Sequence, residues 1–132
     1  MESRELTETE RGILDLLLTR DFPGRDALMV QAKTVRTFGR SCICGCPTFA
    51  LDADTGVPPA EVLTRMPSDA HGSDPNGHLV GVLLFVEEGY LSEIEIYGRA
   101  LNDHSELELP AVAALKLSEW SNPDGTGSLL NP

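Results

Sequence analysis

The chain is short of the features that most often announce a function. All of its cysteine lies in one five-residue stretch, so no second thiol pair stands elsewhere to complete a paired-cysteine metal site. Apolar runs such as 16–18 and 82–86 are far too short to span a bilayer. The opening Met1-Glu2-Ser3-Arg4-Glu5 is charged and has no apolar secretion core, which predicts a soluble, cytoplasmic protein. Cations are scarce as well. Lys and Arg number 10 against 21 Asp and Glu, giving a formal net charge of -11 over 132 residues. Such a surface repels nucleic-acid phosphates and anionic membranes, which points away from both as partners. It suits a basic protein or a cation, and it also keeps a chain soluble.

Motifs of catalysis are missing too. The run Gly72-Ser73-Asp74-Pro75-Asn76-Gly77 lacks the lysine and the following helix of a phosphate-binding loop. Asp103-His104-Ser105 is an adjacency in sequence, not the spatial order of a triad. Ser41 has no nucleophile-elbow context. There is no internal repeat.

What is present is a change of period. Thr7 and Glu10 have capping-box spacing, and Ile13, Leu14, Leu17 and Leu18 follow as one apolar stripe. Asp21-Phe22-Pro23-Gly24 ends that helix, and Pro23 is placed to open a second, shorter one carrying Leu28, Met29 and Ala32. Residues 7–33 thus read as a helical hairpin. From 34 to 98 the period becomes two. Residues 34–40 are rich in Thr, Val and Phe; Phe49, Leu51 and Ala53 alternate with Ala50, Asp52 and Asp54; 79–86 reads as a central strand. Glu87-Glu88-Gly89 is a turn into the strand 90–97, where Ile94 and Ile96 oppose Glu93, Glu95 and Tyr97. Residues 54–78 hold Pro58, Pro59, Pro67 and Pro75 and read as a mobile loop with one helical turn at 61–63. Residues 109–120 fit either a helix begun by Pro110 or an edge segment with Leu115 and Leu117 on one face. The last stretch, 122–132, reads as a flexible tail. The expectation is a single α+β domain: an N-terminal helical hairpin packed on a mainly antiparallel sheet of about four strands.

Two groups of side chains carry chemistry. Cys42, Cys44 and Cys46 sit two apart, so in an extended segment their sulfurs point to one side. They could converge on zinc with His71, His78 or His104 as a fourth ligand, although structural zinc sites usually draw on a second cysteine pair. They could equally form a strained, easily reduced disulfide, or pack as small buried thiols. The second group is Asp52, Asp54, Glu93 and Glu95 beside Tyr97. On one sheet face these form an acidic patch, although ordinary solvent exposure produces the same alternation. Trp120, alone near the tail, is a packing residue or a dimer contact.

The runs Gly39-Arg40-Ser41-Cys42-Ile43-Cys44-Gly45-Cys46-Pro47 and 83–97 (LLFVEEGYLSEIEIY), with Arg20-Asp21-Phe22-Pro23, resemble a family of small uncharacterised proteins found mainly in actinobacteria. The resemblance covers segments within roughly 7–98 and implies a cytoplasmic bacterial origin. It supplies no catalytic residues. Two functions of different class follow from the residues. One is a small acidic protein-binding module, immunity-like, that holds a basic partner through Asp52, Asp54, Glu93, Glu95 and Tyr97. The other is a metal-binding or redox-sensing thiol protein built on the cysteine loop. Nothing in the chain supports a particular reaction.

Overall fold

In the computed structural model of the chain, which describes residues 2–41, 46–99 and 106–119, Thr7 and Glu10 open the fold as their spacing predicts. The Thr7 hydroxyl accepts the Glu10 N–H at 3.1 Å, and the Glu10 carboxylate accepts the Thr7 N–H at 2.8 Å. Two donors that a helix start leaves unpaired are thereby satisfied. Arg4 donates to both Glu10 oxygens, at 2.8 and 3.0 Å. Burial alone would raise the Glu10 carboxyl; the Arg4 guanidinium and the Thr7 N–H outweigh it and hold the pKa below its ordinary value. Helix α1 (Glu8–Leu17) then buries Ile13, Leu14 and Leu17 completely.

Helix α2 (Arg25–Ala32) starts after Gly24, whose φ of 91° no ordinary side chain adopts without strain. A Cβ there would also come within 2.9 Å of the Glu61 carbonyl oxygen. α2 buries Leu28, Gln31 and Ala32, while Met29 stays 46% exposed.

The remaining elements form one six-stranded sheet in the order β1-β2-β5-β4-β3-β6, with every neighbouring pair antiparallel. The strands are β1 (Arg36–Arg40), β2 (Phe49–Asp52), β3 (Ser68–Ser73), β4 (Leu79–Glu87), β5 (Tyr90–Gly98) and β6 (Leu115–Leu117). The class is α+β. The count of about four strands is corrected to six, because β3 and β6 join the predicted set. β3 lies inside the segment 54–78 that composition marks as loop. Its sheet-inward residues are Ser68, Ala70 and Gly72, small because neighbours come close: a Cβ on Gly72 would sit 1.9 Å from the Ala114 carbonyl oxygen. The helical turn expected at 61–63 is not formed. Residues 112–117 resolve the ambiguity of that segment, as a 3-10 turn (Val112–Ala114) leads into β6. Trp120, His104 and the tail 122–132 lie outside the described residues, as do Cys42 and Cys44.

The β4–β5 hairpin, expected over 79–97, turns through Glu88 (φ 51°) and Gly89 (φ 86°), the left-handed pair that suits a tight hairpin. Gln31 of α2, fully buried, ties this turn down. Its amide donates to the Gly89 carbonyl at 2.8 Å, and its carbonyl accepts the Leu91 N–H at 2.9 Å.

Pleating gives the sheet two unlike sides. The inner side carries Phe49, Leu51, Ala70, Val80, Val82, Leu84, Val86, Leu91, Ile94 and Ile96, all buried. Both helices meet the sheet there: α2 contacts β5, α1 contacts β3 and β6, and the Ser68 hydroxyl donates to the Leu17 carbonyl at 2.7 Å. Among the described residues no helix is long and apolar enough to cross a membrane.

Candidate partner-binding face

The outer side of the sheet is built by register. Phe85 on β4 stands opposite Glu93 on β5, Leu83 opposite Glu95, and Gly81 opposite Tyr97. On the flank, Ala50 of β2 pairs with Glu93, and Asp52 of β2 pairs with Arg36 of β1. On the other flank, Asp69 of β3 pairs with Leu83, and His71 pairs with both Gly81 and Lys116. Asp52, Glu93, Glu95 and Tyr97 therefore share one face, as the two-residue period predicts. Asp54 does not extend it as a strand residue. β2 ends at Asp52, and the Asp54 carboxylate instead accepts the Gly56 N–H at 2.8 Å in the following turn.

The face is not purely acidic. Leu83 and Phe85, half-buried, occupy its middle strand, and Arg36 and Lys116 lie toward its ends. Period-two reading gave the carboxylates, but it could not give their cross-strand neighbours, because register is a property of pairing rather than of one segment.

Tyr97 lies over Gly81. A Cβ built at residue 81 would meet the ring at 2.3 Å and the hydroxyl oxygen at 2.5 Å, so glycine is what leaves room for the phenol. Burial raises the Tyr97 pKa; Arg99 pulls it down, while Asp69 and Glu95 push it further up. The phenol thus keeps its proton well into the alkaline range. Glu93 is oriented by Ser41, whose hydroxyl donates to it at 2.9 Å.

Asp69 is a component that the sequence did not single out. It is buried, and Arg20, at the foot of α1, interacts with it electrostatically while donating to the Ser118 carbonyl. Burial lowers the Arg20 pKa and the Asp69 charge offsets part of that. The Ser118 N–H donates to the Asp69 carbonyl at 3.1 Å, and the His71 ring lies 3.1 Å from the Ser118 hydroxyl.

Of the cysteine cluster, Cys46 is within the described residues. It is buried, and its thiol donates to the Thr48 hydroxyl at 3.3 Å; that hydroxyl accepts the Ile96 N–H at 2.9 Å. Of its candidate companions, His71 is committed to Ser118, and His78 to Asp74 at 3.1 Å. Among the described residues, no group of three or more His, Cys, Asp or Glu side chains is arranged to hold a metal ion. A cleft of about 530 Å³ is lined by residues of the N-terminal segment, α1 and the start of β1, among them Glu5, Glu8, Arg11, Lys33 and Arg36. Its cations and carboxylates are mixed, and Arg11 is spent on the Ala32 carbonyl.

Comparison with protein-family models, with curated proteins and with solved structures finds no match to this chain.

Proposed function

We propose that the protein is a small acidic protein-binding module that holds a basic protein partner on the outer face of its sheet, in the manner of an immunity protein on a cationic toxin. The observation that supports this is the shared placement of Asp52, Glu93 and Glu95 with half-buried Leu83 and Phe85 on that face, in a chain of net charge -11. An apolar centre bordered by charge is the composition of a binding patch. The centre gains from losing water, and the border steers an oppositely charged partner and rejects like-charged ones. In this reading the two helices pair as a hairpin over the inner face and leave the outer face for the partner. Cytoplasmic location and kinship with the actinobacterial family belong to the same proposal. No observation among the described residues favours the zinc or thiol reading over it.

The test compares two charge-matched variants in affinity capture from the source cytosol at low and moderate salt. One neutralises Asp52, Glu93 and Glu95 to the corresponding amides. The other neutralises Asp15, Asp21 and Asp26, which are exposed and lie off the sheet. A basic protein retained by the wild type and the second variant but lost from the first supports the face. Equal retention by both variants removes it.

A further inference from the structure

We propose that the outer face takes an arginine side chain of its partner, laid flat against Phe85 and Leu83 and forked onto the Glu93 carboxylate. This deepens the acidic-face reading and rests on it. The argument starts from register. Phe85 and Glu93 are directly opposed, and so are Leu83 and Glu95. Side chains so placed stand about 5 Å apart at their roots, and the diagonal neighbours about 7–8 Å apart. Two apolar side chains on β4 and two carboxylates on β5 thus form a square in which every carboxylate adjoins an apolar surface.

A lysine ammonium suits such a square poorly. It is a compact, strongly hydrated charge that loses its water over Leu83 and Phe85 and gains one point contact. A guanidinium suits it well. It is planar and weakly hydrated, it stacks on an aromatic ring, and its fork matches a carboxylate edge. Ser41, by holding one Glu93 oxygen at 2.9 Å, fixes the carboxylate's orientation beside Phe85.

On its other flank Leu83 stands opposite Asp69, whose charge acts favourably on the chain's own Arg20 guanidinium. The carboxylates on both flanks of Leu83 thus set a potential that favours an incoming guanidinium.

The experiment titrates the ¹⁵N-labelled full chain with two blocked six-residue peptides, one alternating leucine with arginine and the other leucine with lysine. The expected result is amide shifts centred on 83–85 and 93–95, with the arginine peptide binding about tenfold tighter. Phe85→Leu removes that preference and Phe85→Tyr retains it. Should Phe85→Leu fail to fold, the ratio between the peptides on the wild type and on Phe85→Tyr still decides. Equal affinity of both peptides on this face overturns the arginine inference and leaves the acidic-face reading standing, as does an arginine preference that survives Phe85→Leu for the stacking itself. Shifts elsewhere, or none with either peptide, overturn both.

Discussion

On β4, Val80, Val82, Leu84 and Val86 are 0–1% exposed, whereas Leu83 and Phe85, in the alternate positions, are only half-buried. The same contrast runs along β5, where Ile94 and Ile96 are sealed and Glu93, Glu95 and Tyr97 are not. The two sides share one backbone and one set of strand hydrogen bonds. What separates them is the layer above: helix on one side, and a mosaic of carboxylates and apolar side chains on the other. Stability therefore resides in the inner side and the proposed recognition in the outer, and the two can be perturbed apart.

The largest effect should come from the inner side. Leu84→Ala is expected to destabilise by about 2–5 kcal/mol, and Leu83→Ala, one residue along, by well under half as much, because only the first leaves a closed cavity. Urea denaturation of the two variants measures the contrast; equal losses would erase the distinction between the faces.

The next effect sits at the β3–β4 turn, where both sides end. The Asp74 carboxylate is fully enclosed and accepts the N–H groups of Glu108 (3.1 Å), His78 (2.8 Å) and Asn76 (3.0 Å) as well as the His78 ring. Burial would raise its pKa, but these donors outweigh burial and lower it. The unfolded carboxyl thus binds a proton more readily than the folded one. The stabilisation is complete above the unfolded carboxylate pKa and is lost as pH falls through the lowered folded value. Asp74→Ala should cost about 2–3 kcal/mol at neutral pH by leaving these donors unmet, and less in strong acid. Thermal melts across that range show whether the gap closes.

A smaller effect couples the middle strands on the outer side. Gly81→Ala must displace the Tyr97 ring and is expected to cost about 1–3 kcal/mol. In a Tyr97→Ala background the same substitution should cost far less, so the double-mutant cycle would show a coupling above about 0.5 kcal/mol. The smallest expected effect is on stability when Glu93→Gln and Glu95→Gln are combined, within about 0.5 kcal/mol for each site. That near-silence in denaturation, set against a change in binding, is the sharpest form of the comparison.

The elements with strong periodicity were legible. Thr7 and Glu10 announced α1, and the alternation through Glu93, Ile94, Glu95 and Ile96 announced β5. β3 was not legible, because Ser68-Asp69-Ala70-His71-Gly72-Ser73 has none of the β-branched or aromatic residues that mark a strand. It is a strand because its small side chains fit beneath Leu17 and beside Ala114, a tertiary requirement that no local window contains. The acidic members of the outer face were legible for the same reason β5 was. The interleaved Leu83 and Phe85, the Tyr97–Gly81 stack and Asp69 with Arg20 depend on which strands are neighbours, and the order β2-β5-β4-β3 is not written in any one of them.

The segment before α1 has a protective consequence. Arg4 exchanges two 2.9 Å backbone hydrogen bonds with Thr37, and Gly39, at φ 88°, shifts the register of β1 just beyond. A terminal strand with its amides bare is a template on which another molecule can stack, the first step of aggregation. β1 is shielded by this short stretch of its own chain, and its bulge kinks what the stretch does not reach. The short stretch ahead of the capping box thus guards that border against strand-on-strand stacking, a task separate from both the fold's stability and the proposed recognition.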